Sequence, residues 1–530
     1  MKPVIEVKQG KLQGEAQKSV LTGKEFYSFK GIPFAKPPVN ELRFQAPVPL
    51  EKWDGILDAT KDGELCTQID MADGGLKGSE NCLFINVYTP NLPTGSTNPK
   101  PVMVFIHGGG FAAGNGSSQT YAPDFLINYD VLIVTTNYRV HALGFLNMGT
   151  KNAVPNCGLR DQILALKWIK ENISQFGGDP GSITIFGESA GAASVHHLML
   201  SPLSKGLFHK AILQSGTINC TWSLNLEPEK SGYVLANKLG YEGVKDPEKV
   251  VEFLKTQSDK KITLAAHEIH QDWRRQYPGK SVSVCFIPSI EKDKENAVIP
   301  DHPEVLMKSA DPIPLIVGLN DKEGRLAFVA VADNLMKTLQ EDFTNCMKHD
   351  MNCDKEKLLA ISNKIKQFYL GEKEVGPDTV DAIVDLYSDI LFKNFYESFE
   401  NNVKSKHPVY VYEFGFHGRF NLYSKVMMRD LACSSGAAHG DELPYIFHKP
   451  AFQNNEFVEP EVTVIKNMCL MWSNFAKTGN PTQGMKTEWR PHTTEKPCYL
   501  RIDKDLKLVE DKITPQRIEF WKNLKASKSL

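Results

Sequence analysis

The stretch Ser182-Ile183-Thr184-Ile185-Phe186-Gly187-Glu188-Ser189-Ala190-Gly191, with the run on to Leu200, decides how this chain is read. Ser182 to Phe186 has strand composition, Gly187 turns the chain sharply, and Ala190 to Leu200 is compatible with a helix. A serine placed between a strand end and a helix start, in the pattern Gly-x-Ser-x-Gly, is held on a strained turn with its hydroxyl over the sheet edge. Glycines belong on both sides because neighbouring elements come too close for a side chain. The letters alone also suit an ordinary helix N-cap serine. The strand–turn–helix context is what points to a nucleophile.

Working outward, Val102 to Ile106 is a short apolar run ending in His107-Gly108-Gly109-Gly110-Phe111. Three successive glycines are conformationally expensive and leave backbone N–H groups unobstructed. Gly109 and Gly110 can therefore aim two amides at a developing oxyanion, with the Ala190 N–H as a third donor. Each donor is asked for roughly 3–4 kcal/mol of transition-state stabilisation. Val131 to Thr135 is dense in β-branched residues, and Ala211 to Leu213, Leu315 to Val317 and Val409 to Phe414 are further strand candidates. Their lack of polar alternation suits strands buried on both faces. Asp161 to Phe176 carries Ile163, Leu164, Leu166, Trp168, Ile169 and Ile173 at helical spacing and stops at Gly177-Gly178. The expected fold is therefore α/β, an α/β-hydrolase fold with a central, mostly parallel sheet flanked by helices. Apart from a turn-rich connection at Asn91 to Pro101, no repeat, low-complexity tract or linker interrupts the chain, so residues 1–530 are expected to form a single domain.

A serine hydroxyl needs a base, and the base needs an acid that fixes its tautomer and stabilises the imidazolium. In this fold they follow the serine in the order acid, then histidine. After the Leu315 strand comes Leu319-Asn320-Asp321-Lys322-Glu323-Gly324, a strand end opening into a loop with two carboxylates, and the pattern leaves Asp321 and Glu323 as rivals. Among fourteen histidines, His439 stands out. Small residues from Ser434 to Ala438 precede it, and Gly440-Asp441-Glu442 follow. His196 and His197 lie on the departing helix and read as packing residues.

Hydrophobic residues at 41% and charged residues at 23% are ordinary for a globular protein, and a net charge of −2 supplies no field for nucleic acid or an anionic membrane. No run approaches the roughly 18 apolar residues of a bilayer span. The N-terminus shows strand alternation rather than a leader, so the chain is expected in the cytoplasm, or secreted if this is a mature form. Ten cysteines are too sparse for a disulfide scaffold. Cys66 and Cys82 bracket a polar, glycine-rich stretch that one bridge would close, whereas Cys346 and Cys353 read as thiols. Sequons at Asn115, Asn172 and Asn219 read as chance occurrences, the first because it adjoins the glycine loop. No metal or cofactor is called for.

With Gly-Glu-Ser-Ala-Gly and His-Gly-Gly-Gly-Phe both in place, the chain resembles the type-B carboxylesterase and cholinesterase family, and within it the intracellular insect carboxylesterases of the α-esterase group. Phe29 to Ala35, Leu42-Arg43-Phe44, Asn137-Tyr138-Arg139, Gly144-Phe145-Leu146, Gly158 to Gln162, Phe176 to Pro180, Gln214-Ser215-Gly216 and Trp472 to Ala476 extend the likeness almost end to end. The resemblance implies a triad of Ser189, Glu323 and His439, an oxyanion hole of Gly109, Gly110 and Ala190, Ser215 near the acid, and an Arg43–Glu80 ion pair beside the Cys66–Cys82 bridge. It implies Trp222 in the acyl pocket, hence small or medium acyl groups, with core packing as the competing role. Implied partners are neutral ester substrates, of xenobiotic, odorant or lipid origin, and organophosphate or carbamate inhibitors. Asn81 and His141 depart from the family pattern. The stretch between Cys66 and Cys82 lacks the tryptophan with which cholinesterases stack on choline, which argues against acetylcholine. Juvenile hormone esterases are also similar but usually carry Gln where this chain has Glu188. Two rival functions accompany the resemblance: stoichiometric capture of organophosphates with slow turnover, and the serine-less adhesion members, against which the intact triad speaks.

Overall fold

Eleven strands hydrogen-bond into one sheet in the computed structural model, which describes residues 2–93, 98–276, 286–328, 332–347, 354–392, 395–427, 434–450 and 456–526. Their spatial order is Leu506–Val509, Tyr499–Ile502, Val409–Phe414, Leu315–Asn320, Lys210–Gln214, Gly178–Glu188, Lys100–Ile106, Leu132–Thr136, Phe84–Thr89, Glu25–Pro33 and Glu15–Lys18. The run from Tyr499–Ile502 to Leu132–Thr136 is parallel throughout, and the flanking pairs are antiparallel. The expected strands are all present; four are longer than expected by two to six residues, Val131 to Thr135 is shifted by one, and Val409 to Phe414 keeps its bounds.

The missing polar alternation has a direct cause. Val102, Val104 and Ile106 enter one core cluster together with Ile183, Ile185, Leu213, Val317 and Val411, while Met103 and Phe105 enter a second with Phe186, Ile212, Ile316 and Tyr412. Successive side chains point to opposite faces of a strand, and here both faces are covered. Helices Cys157–Asn172 and Ala190–Leu200 pack their apolar residues into the first cluster, and Glu461–Thr478, through Val464, Met468, Trp472 and Phe475, packs into the second. Burying each such large side chain contributes about 1.5–3 kcal/mol. A third cluster lies among the helices Lys355–Leu370 and Val380–Leu391.

The helix expected from Asp161 begins at Cys157 and ends at Asn172, with a 3-10 turn over Ile173–Phe176 before Gly177 at φ 84°. Side-chain-free Gly158 and polar Arg160 and Asp161 hide the first turn from a reading based on apolar spacing. Asp161 is fully buried against Arg139, with Nε–Oδ2 2.8 Å and Nη2–Oδ1 2.7 Å. Asn172 is buried too. Its side chain accepts from Lys8 N and donates to Trp168 O, so this sequon is closed to a glycan. Cys66 and Cys82 form a disulfide, and the Arg43–Glu80 pair next to it is bidentate at 2.6 and 2.5 Å. Cys353 lies outside the described residues. No described helix is long and apolar enough to cross a membrane.

Candidate active site

Parallel strands present their carboxyl ends along one edge, where α/β folds place ligands. Ile106, Gly187 and Leu213 are in register across three of them, so His107, Ser189 and Ser215 emerge side by side. Ser189 has φ 59° and ψ −126°, a strained conformation costing on the order of 1–3 kcal/mol for a residue with a side chain. Two hydrogen bonds hold it: Ser189 N donates to Gln214 O and Ala193 N to Ser189 O, both at 2.9 Å. A side chain on Gly191 would run into Ile106 O, which is why the turn needs glycine there. Ser189 caps the helix by position, but its side chain makes no capping hydrogen bond.

The glycine loop is anchored from below. His107 is buried, its ring stacks on Tyr138 at 4.3 Å, and Tyr138 donates its hydroxyl to His107 O at 3.0 Å. Gln68 clamps Gly114, accepting from its N–H at 2.6 Å and donating to its carbonyl at 2.9 Å. Gly109 and Gly110 have φ 109° and 63°. Among the described residues the N–H groups of Gly109, Gly110 and Ala190 donate to no protein acceptor. Three amides are therefore available at the edge where Ser189 sits.

Glu323 is fully buried, and its Oε2 lies 2.7 Å from His439 Nδ1, while Oε1 accepts from Asn320 N at 2.7 Å. Asp321 is turned elsewhere: Oδ1 accepts from Ala437 N at 2.8 Å and Oδ2 pairs with Arg501 at 2.8 Å. Geometry thus brings Glu323, and not its rival, to the imidazole. The His439 segment is held by Asn320, which donates to Ala438 O at 2.7 Å and to Glu442 Oε2 at 2.6 Å, and by Arg325, which donates to Gly436 O at 2.9 Å. On the other side of the ring, Nε2 lies 3.2 Å from Glu188 Oε1, off hydrogen-bond alignment. No hydrogen bond joins Ser189 to His439 among the described residues.

The carboxylesterase family profile matches residues 1–521. The chain belongs to the carboxylesterase family. It is 34% identical to esterase E4 of Myzus persicae over 92% of this chain and 88% of that one, and 34% identical to a juvenile hormone esterase of Tribolium castaneum over 94% and 87%. A bile salt-activated lipase of Bos taurus is 33% identical over 97% and 86%. Among solved structures, that of juvenile hormone esterase from Manduca sexta with OTFP covalently attached superposes with a TM-score of 0.86 at 27% identity, covering 99% of this chain and all of that one. The fold is accordingly the α/β-hydrolase fold, and the protein is a serine carboxylic-ester hydrolase.

Charge is concentrated around the imidazole of this carboxylesterase. Burial works against the imidazolium, but Glu188 and Glu323 outweigh it and raise His439 to about 9. Burial also raises Glu188 to about 8, partly offset by His439, and raises Glu442 to about 7. Glu188 and His439 face each other, so they titrate as a pair. Ser215, expected near the acid, is buried with φ 54°, and its Oγ makes no hydrogen bond among the described residues; Glu323 accepts from the backbone amide of Asn320. Trp222 is half-buried and meets Phe392 edge-on at 6.0 Å, and Phe392 lies 5.4 Å from His439. His196 and His197 are buried packing residues, the second bonded to Ser223 O. Sequence reasoning missed Asn320, Phe392 and the place of Glu188 on the imidazole. The polar Asn320 ending an apolar strand was the one available signal.

Proposed function

We propose that Ser189, His439 and Glu323 act as the catalytic triad. His439 takes the proton of Ser189 as its oxygen attacks the ester carbonyl, the amides of Gly109, Gly110 and Ala190 receive the oxyanion, and the alcohol leaves with the proton from His439. Water then attacks the acyl-enzyme by the same route and releases the acid. The observation that carries this reading is the 2.7 Å contact of Glu323 with His439 Nδ1, on the strand edge where Ser189 is held in its strained turn. It leaves Nε2 as the working nitrogen. Hydrogen bonds between nucleophile and base commonly tighten only in the substrate complex. The covalent attachment in the Manduca sexta relative supports a nucleophilic residue in this fold.

The substrates are neutral esters of small or medium acyl groups, with Phe392 beside the imidazole and Trp222 behind it as the acyl wall, and residues 1–530 work as one unit. Identity of 34% to a juvenile hormone esterase favours a second reading, hydrolysis of a juvenile-hormone-type ester at the same triad. The disulfide favours an oxidising compartment over the cytoplasm. Stopped-flow hydrolysis of p-nitrophenyl esters, with mass spectrometry after an organophosphate, tests the mechanism. One equivalent of burst and an adduct on Ser189 are expected, and a burst that survives in Ser189→Ala sinks it. A full burst followed by negligible turnover would mark a scavenger, and faster turnover of juvenile hormone than of simple esters the second reading.

A further inference from the structure

After His439 the chain runs through Leu443–Tyr445 and returns beneath the site. His448 pairs with Ala122 by two backbone hydrogen bonds of 3.1 Å, which sets Lys449 under Thr120 and Tyr121. Lys449 is 2% exposed. Its ammonium donates to Thr120 O at 3.3 Å and lies 4.5 Å from the centre of the Tyr121 ring and 6.0 Å from that of Tyr423. Tyr423 in turn closes on the histidine turn: a Cβ on Gly440 would stand 3.1 Å from the Tyr423 ring and 3.5 Å from Glu188 Oε1. One aromatic layer therefore separates a buried cation from the corner where Glu188 meets His439.

Among the described residues, the other charges around that corner are carboxylates, the imidazole itself and, behind the histidine segment, the Arg325 guanidinium, which donates to Gly436 O and Ser424 Oγ. Glu188 comes from the nucleophile strand, Glu323 from the turn after Leu315–Asn320, and Asp441 and Glu442 from the histidine segment. Asp441 is engaged by the N–H groups of Ala438, Tyr423 and Ser424, and Glu442 by Asn320 and Gln214. Asp124 is raised by burial, an effect that the charge of His448 opposes. The phenols of Tyr121, Tyr138 and Tyr423 are pushed up by burial and stay neutral. Carboxylates on both sides of the ring favour the imidazolium, which cannot take a proton from Ser189.

We propose that Lys449 is a positioning residue whose buried ammonium offsets the carboxylate charge around His439 and so frees the imidazole to act as the base. This rests on the reading of His439 as general base. Burial lowers Lys449 to about 8 while Glu188 and Glu442 hold its charge, and its own charge pulls Glu188 down. At and below neutral pH the lysine is therefore a cation, the form that opposes proton uptake by the Glu188–His439 pair.

The test is the pH profile of kcat/KM for p-nitrophenyl butyrate between pH 5.5 and 9.5, normalised by burst amplitude, for the full-length enzyme and for Lys449→Met and Lys449→Arg. Loss of the cation is expected to move the acid limb up by about half a pH unit or more, and Arg, charged at every pH, to restore the wild-type limb. Glu188→Gln is the counterpart and is expected to move the same limb down. A folded Lys449→Met with full burst and an unmoved limb overturns the proposal. Should that variant fail to fold, a Glu188→Gln limb that stays in place overturns it equally. An absent burst in the wild-type enzyme would instead sink the triad reading, which keeps the two failures distinct.

Discussion

The site has two halves built by different means. The Ser189 half is made of backbone: a serine at φ 59°, glycines where side chains would meet Ile106 O, and amides that donate to no acceptor among the described residues. Its parts lie in two short stretches, 107–114 and 187–191, and packing of neutral groups holds them. The His439 half is made of side chains drawn from far apart in the chain, including Asn320, Glu323, Glu442 and Lys449, and what holds them is a balance of buried charge. Close packing fixes position whatever the pH. Buried charge fixes it only while each group keeps its proton count. The first half should therefore fail by loss of chemistry, and the second by loss of chemistry that depends on pH.

Ser189→Ala breaks the comparison most severely. It keeps the backbone and removes the proposed nucleophile, so kcat/KM is expected to fall on the order of 10⁶-fold with little change in the melting temperature. Next comes the acid. Glu323→Gln leaves the shape of the site but removes the charge behind the ring, and a loss of about 10⁴-fold in kcat is expected. Asp321→Asn, two residues away, should cost less than about tenfold, because that carboxylate serves Arg501 and Ala437 rather than His439. Steady-state kinetics on the two variants side by side decide it, and equal losses would mean that the orienting acid has been assigned to the wrong residue.

The two halves also differed in how legible they were. Apolar runs closed by glycines pointed to the strands, the glycine loop and the turn at Ser189, because steric demands leave marks within a few residues. Asp321 and Glu323 could not be separated in that way. What separates them is Arg501, 180 residues on, and no local pattern carries a partner at that distance. The burial of Glu188 and Lys449 went unread for the same reason: a Glu on a turn and a Lys after His448 look solvated until the fold buries them. Helix Cys157–Asn172 was placed four residues late because its first turn faces Arg139 and Phe145 with small and polar groups rather than apolar ones.

Trp222 gives a smaller effect that sharpens the boundary between the halves. Its ring reaches His439 only through Phe392, so Trp222→Leu should leave the acid limb where it is and shift the preferred acyl length. Longer p-nitrophenyl esters are expected to gain up to about tenfold in kcat/KM relative to acetate, the scale of a few methylenes in an apolar pocket. An unchanged acyl-length profile would return Trp222 to core packing with the third cluster.

The smallest expected effect tests whether the Ser189 half leans on covalent support. The Cys66–Cys82 bridge spans 16 positions, a closure contributing about 3 kcal/mol in the chain-entropy model, or roughly 3 °C in a protein this large. Gln68, two residues past the bridge, is the clamp on Gly114, so the bridge connects to the glycine loop. Yet Asn137 donates to Cys82 O and accepts from Gly116 N, and Tyr138 stacks on His107, so three further contacts hold the loop without sulfur. Replacing both cysteines by serine should therefore lower the melting temperature by those few degrees and change kcat at 25 °C by less than about threefold. Differential scanning calorimetry beside initial rates separates the two effects. A kcat that collapses while the protein stays folded would show that strain from the bridge, and not close packing, aims the glycine amides.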